Sequence, residues 1–176
     1  MKNIMDSHVT IFDDKVPYNV RNYTLSYCSN STFKLGWEDS DEPDKFAYNL
    51  YSDWSVDDLK STGLLPYFEK CIDHTKWFKN KELDRVVLNL IRPDDVHYIH
   101  HHKDLQVLLY YVNLDWMDGW HGETIFYNPN NLNEVDFTSL YIPGRVILFD
   151  GNIPHAIRPQ SIKGPKFRHS LSLFFK

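Results

Sequence analysis

From residue 82 onward the chain is a succession of short apolar runs: RVVLNLI, VHYIHHH, LQVLLYYV, ETIFY, TSLYI, RVILFD and HSLSLFF. They are rich in β-branched and aromatic residues, and clusters of Pro, Gly, Asn and Asp separate them, which predicts strands. So many short strands in sequence point to a mostly β fold, a two-sheet sandwich or barrel of jelly-roll type with flanking helices. Before residue 82 the pattern differs. HVTIF predicts a short strand, and the segment from Val16 to Cys28 predicts a helix with Pro17 tolerable in its first turn. A second helix is expected from Ser55, which can cap it. Asp57 and Asp58 fall where the helix dipole favours acids, and Leu59, Leu64, Phe68 and Cys71 supply an apolar side. Gly63 and Pro66 are expected to interrupt that helix. Residues 1–81 thus read as a strand–helix support and 82–176 as a β core, together one domain.

Composition narrows the function classes. The 176 residues are 42% hydrophobic and 15% aromatic, which suits a packed core. A formal charge of −5 and a pI near 5.9 give no electrostatic case for nucleic acid. Cys28 and Cys71 are too few for a disulfide framework and read as reduced thiols. The first residues lack the apolar stretch of a signal peptide, and no run approaches the ~18 apolar residues of a membrane span. The expectation is a cytoplasmic protein without membrane contact. Five acids between Glu38 and Asp44 read as a solvated loop, or as a flap over a site that favours basic substrates.

The chemistry-bearing letters lie in the second half. Four of nine histidines fall between His97 and His102, just before an apolar run. On a strand, residues i and i+2 share a face, so His102 and Asp104 are expected to project together with Lys103 turned away. One imidazole and one carboxylate at that spacing, completed by His155 from a neighbouring strand, would form the 2-His-1-carboxylate arrangement of non-haem Fe(II) oxygenases. A His-x-Asp alone is weak evidence, since about one is expected by chance at this composition. The rival His121-Gly122-Glu123 has a glycine between its ligands and follows a Trp-rich loop, a poorer platform for fixed geometry. Further on, Arg168 and Ser170 share a strand face. A guanidinium fork carried inward needs an anion, and a carboxylate fits it in two places at once.

These residues resemble a known family. HKD (102–104), LLYYVNLDW (108–116), GETIFY (122–127), PGRVILFDGNIPH (143–155) and RHSLS (168–172) together look like the 2-oxoglutarate- and Fe(II)-dependent oxygenases, most like their prolyl 4-hydroxylase branch. The resemblance implies a double-stranded β-helix (jelly-roll) core. It implies His102, Asp104 and His155 as Fe(II) ligands and Arg168, assisted by Ser170, as the anchor of the distal carboxylate of 2-oxoglutarate. It implies Tyr111 as a phenol reaching that carboxylate, Thr124 in the cosubstrate pocket, and Leu109 and Ile157 as apolar walls. The activity implied is hydroxylation of an unactivated C–H bond by O2, with release of succinate and CO2 and with ascorbate as activator. Two departures from relatives stand out: Trp120-His121-Gly122 where Gly-Gly is common, and a long Pro159–Lys166 loop.

His100 is expected near the metal or the substrate but not as a ligand, because a fourth ligand would occupy the position oxygen needs. His97 and His101 are expected at the surface, unless a bulge reverses the alternation. Residues that hold iron and cosubstrate do not encode the substrate. A peptidyl proline and a free amino acid or other small molecule both remain open, as do a non-catalytic jelly-roll binding module and a cupin-like metalloenzyme.

Overall fold

The computed structural model describes residues 9–36, 49–93, 95 and 97–176. The acidic segment from Glu38 to Asp44 lies outside them, as does Trp37. Among the described residues, ten strands form two antiparallel sheets: β1 (Val9–Phe12), β2 (Lys34–Leu35), β3 (Leu50–Trp54), β4 (Leu83–Ile91), β5 (Gln106–Tyr111), β6 (Thr124–Asn128), β7 (Asn131–Ser139), β8 (Val146–Asp150), β9 (His155–Ile157) and β10 (Arg168–Phe175). The major sheet runs β1-β8-β5-β10-β4-β3-β2 and the minor sheet β7-β6-β9. The core is a mostly β jelly roll, as the run of short strands predicts. No helix among the described residues is long and apolar enough to cross a membrane.

Three helices cover one face of the major sheet. The first, α1 (Tyr18–Ser29), begins after Pro17. The second, α2 (Val56–Ser61), is capped by Ser55 as expected, and the cap is a capping box: the Ser55 hydroxyl accepts from the Asp58 N–H at 3.1 Å, and the Asp58 carboxylate accepts from the Ser55 N–H at 2.8 Å. Gly63, at φ +74°, ends this helix, and α3 (Leu65–Asp73) restarts with Pro66 in its first turn, where no intrahelical donor is needed. Leu59, Leu64, Phe68 and Cys71 bury against Leu88, Leu108, Tyr110, Leu148 and Leu171 of the sheet. Both cysteines are buried and unbridged.

The opposite face of the major sheet looks towards the minor sheet. Alternation divides each central strand: Leu108 and Tyr110 of β5 face the helices, while Val107, Leu109 and Tyr111 face the minor sheet. On β10, Leu171 and Leu173 face the helices, and Arg168, Ser170, Ser172 and Phe174 occupy the alternate positions. All eight β10 residues are buried, because the strand is covered on both sides.

Three expectations are corrected. Of VHYIHHH, the described residues His97 to His102 form no strand; their one pairing among the described residues is an isolated bridge between His100 and His155. TSLYI ends early, since β7 stops at Ser139 and Leu140 to Ile142 lead into the turn before β8. The short strands β2, at the sheet edge, and β3, between it and β4, were not anticipated. Their residues are partly polar, and β3 finds its place by pairing with β4, Leu50 opposite Leu90 through Trp54 opposite Val86.

Candidate metal and cosubstrate site

The inner face of β10 brings Arg168 and Ser170 together by its two-residue period, and antiparallel pairing sets Tyr111 of β5 opposite Ser170. Arg168 is wholly buried. Its Nε donates to the Gly122 carbonyl at 3.0 Å and its Nη1 to the Ser170 hydroxyl at 3.2 Å. The guanidinium carbon lies 5.2 Å from the Tyr111 ring centre and 4.8 Å from that of Tyr141. Its Nη2 is buried with no hydrogen-bond partner. Burial pulls the guanidinium below its usual range, the direction expected for a charge taken out of water. The Tyr111 hydroxyl donates to the Thr124 hydroxyl at 2.8 Å, so the four residues named from the sequence for cosubstrate binding form one buried group.

Glycine at 122 is required by this arrangement. Its φ is +83°, and a Cβ there would lie 2.9 Å from Trp116 and 3.4 Å from the Arg168 side chain. The bare backbone lets the carbonyl reach the guanidinium. Tyr141 escaped the sequence reading. It stacks on Tyr111 with ring centres 4.3 Å apart, accepts from the Asn113 N–H and bonds the His169 carbonyl at 2.6 Å, roofing the arginine.

At the other end of the same pocket lie histidines. One ring nitrogen from each of His100, His102 and His155 falls within 4.8 Å of the others. Backbone pairing explains the grouping. His100 and His155 exchange N–H···O bonds of 3.0 and 2.9 Å, which sets their side chains on one face, and the His102 N–H donates to the Gly151 carbonyl at 2.7 Å. Gly151 admits this approach because a Cβ there would lie 2.5 Å from the His102 carbonyl. His155 is buried against Phe149 and Phe126, and His102 packs edge-on against Phe174. Burial first, and then neighbouring imidazoles, hold both His102 and His155 well below the ordinary histidine range, so both rings are neutral and can offer a lone pair.

Asp104 does not share a face with His102. The chain turns between them, with the Leu105 N–H bonding the His102 carbonyl at 3.2 Å, and Asp104 adopts φ +60° on an exposed corner. A strand's alternation does not operate across that turn, and Asp104 is not among the clustered donors. The rival His121 and Glu123 lie apart from the cluster, beside Arg158. His101 is exposed as expected, whereas His97 is not a surface residue: it lines the pocket, its Nδ1 meets the Asn49 amide at 3.3 Å, and burial pushes it down to about 4. Leu109, Thr124, Ile157, Ser170 and Ser172 join the histidines along the pocket wall, and none of the described lining residues is acidic.

Comparison with solved structures agrees with this architecture. A prolyl hydroxylase from Trichoplax adhaerens, in complex with a hypoxia-inducible factor oxygen degradation domain peptide, superposes with a TM-score of 0.71 at 16% identity, over 98% of this chain and 84% of the other. The fold is that of the 2-oxoglutarate- and Fe(II)-dependent oxygenases. A Pseudomonas putida prolyl-4-hydroxylase covers 99% of this chain and 95% of its own at TM-score 0.71 and 13% identity. A non-haem α-ketoglutarate-dependent epimerase from nogalamycin biosynthesis reaches 0.72 at 10% identity, over 97% and 78%. No family model and no curated protein sequence matches the chain. At such identities the likeness establishes the oxygenase fold, and relatives with that fold carry out different reactions.

Proposed function

We propose that the protein is a 2-oxoglutarate- and Fe(II)-dependent dioxygenase that hydroxylates an unactivated C–H bond, releasing succinate and CO2. The observation that carries this reading is the buried Arg168, whose Nη2 has no hydrogen-bond partner and whose partner Ser170 lines the same pocket as a cluster of histidines. A buried guanidinium without a carboxylate is costly unless a ligand supplies the anion. The donor set suits both halves of the cofactor requirement: imidazoles for a divalent metal and a guanidinium with hydroxyls for a dicarboxylate.

His102 and His155 would hold Fe(II), which when bound supplies the redox chemistry with O2. His155 is held for this role, since its Nδ1–H donates to the Ile153 carbonyl at 2.8 Å and leaves Nε2 to coordinate. Arg168 and Ser170 would bind the distal carboxylate of 2-oxoglutarate, with Tyr111 and Thr124 orienting it. Leu109, Ile157 and Phe149 line the pocket and exclude water around the reacting groups. Ascorbate would serve as activator, and the cytoplasm is the compartment consistent with two unbridged thiols.

For the substrate we propose a peptidyl proline first, with a free amino acid or other small molecule as the alternative. The likeness to prolyl hydroxylases, one of them bound to a peptide, supports the first. Succinate formation, screened against proline-containing peptides and free amino acids with Fe(II), 2-oxoglutarate and ascorbate, tests the proposal. Stimulation by a peptide that disappears when its prolines are replaced identifies a prolyl hydroxylase. Stimulation by free amino acids alone removes the peptide reading, and absence of any 2-oxoglutarate turnover removes the oxygenase reading.

A further inference from the structure

We infer that the metal centre of this chain is closed by three histidines, His100, His102 and His155, in place of two histidines and a carboxylate. This rests on the metal-dependent reading above and concerns which residue supplies the third donor. His100-x-His102 has the same two-residue spacing as His102-x-Asp104, and only the first pair lies on backbone that directs both side chains to one face. His100 is opposed to His155 by reciprocal backbone hydrogen bonds, and directly opposed residues of an antiparallel pair carry their side chains on the same side. The ring centres lie 4.4 Å apart for His100 and His155, and 5.1 Å from His102 to each.

The tautomers support the same assignment. A carbonyl oxygen can only accept, so the 3.0 Å contact between His100 Nδ1 and the Tyr98 carbonyl places a proton on Nδ1, the tautomer in which Nε2 carries the lone pair. His155 is fixed in the same way by Ile153. A backbone carbonyl behind the distal nitrogen is the usual support of a metal-bound imidazole, and His100 has it. Asp104 lacks comparable placement. It is exposed, in a left-handed turn with its N–H held by the Asn152 side chain at 3.2 Å, and its carboxylate is not among the clustered donors.

The assignment has a chemical consequence. Three neutral imidazoles leave a divalent ion its full charge of two, where a carboxylate ligand would leave one. With no acidic residue among the described lining residues and Arg168 behind Ser170, the centre is built to attract an anionic chelate. Nitrogen-only donors also suit Co(II), Ni(II) and Zn(II) as well as Fe(II).

The test is titration of the metal-free protein with Co(II), followed by calorimetry and visible absorption, with circular dichroism confirming that each variant is folded. The parent is expected to bind one Co(II). His100→Ala should weaken binding 100-fold or more, His100→Asp should recover most of it by supplying a carboxylate at the same position, and Asp104→Asn should stay within twofold of the parent. Asp104 lies on an exposed turn, so its variant is expected to fold whatever becomes of His100→Ala. Loss of Co(II) binding in Asp104→Asn, or parent-like binding in His100→Ala, overturns the three-histidine assignment and leaves the oxygenase reading standing. A parent protein that binds no Co(II) overturns both.

Discussion

Replacing Arg168 with methionine separates what the arginine does for the fold from what it does for a ligand. The guanidinium is fully buried and holds two hydrogen bonds, to Gly122 and Ser170, beside the stacked rings of Tyr111 and Tyr141 and with no ion pair to a described carboxylate. Dehydrating such a charge costs several kcal/mol, and replacing buried ionic groups by apolar ones of similar size is often stabilising by about 1–4 kcal/mol. The ligand-free variant should therefore be at least as stable as the parent. The ligand response should move the other way. At a 2-oxoglutarate concentration of about 100 times its Kd, the parent gains about 2.7 kcal/mol by mass action. Loss of a buried charge-assisted pair costs about 2–5 kcal/mol, a weakening of about 30-fold or more. At the same ligand concentration the variant then gains about 0.9 kcal/mol or less. Urea denaturation of the Mn(II)-loaded proteins, with and without 2-oxoglutarate, reads both numbers. A variant stabilised by 2-oxoglutarate as strongly as the parent would refute the role given to Arg168.

Other residues yield sharper local expectations. Gly122→Ala forces a side chain into φ +83° and against Trp116 and Arg168, so it should raise the KM for 2-oxoglutarate about tenfold or more. Gly119→Ala, at φ +82° with open space around it, should cost only backbone strain of about 1–2 kcal/mol in denaturation and leave that KM unchanged. Ser55→Ala removes the α2 capping box and should cost about 1 kcal/mol in urea denaturation without altering cosubstrate binding. His169 is buried and pushed down to about 4 by burial alone, so the unfolded chain takes up a proton at higher pH than the folded one. Its contribution is complete above about pH 6.5, is lost as pH falls towards 4 and amounts to about 3 kcal/mol. The gap between urea midpoints at pH 7 and 4.5 should therefore narrow in His169→Leu, the remainder belonging to the other buried histidines, and an undiminished difference would contradict the assignment.

How far these features could be read from the chain depends on where the backbone is regular. Strands β5, β8 and β10 are covered on both faces, so their unbroken apolar runs identify them as strands but hide which residues face the pocket. Arg168 and Ser170 stood out because they are polar letters inside such a run, and the strand's period brings them together. Period-two reasoning failed at His102 and Asp104, because a turn with a left-handed residue replaces the strand there. The choice between His100 and Asp104 is invisible in the letters, since both lie two residues from His102. It is made by the pairing of His100 with His155, a contact between residues 55 apart in the chain. His97 was misplaced for the same reason, while Tyr141 lies beyond the end of β7, where no alternation directs it.

The central claim is that metal and 2-oxoglutarate meet in this pocket, and anaerobic spectroscopy tests it most directly. Fe(II) and 2-oxoglutarate added together to the protein should produce a weak visible charge-transfer band that neither gives alone. The band should be lost in His155→Ala and should require far more 2-oxoglutarate in Arg168→Met. A folded parent protein that shows no band, with Fe(II) and 2-oxoglutarate both in excess, would contradict the account.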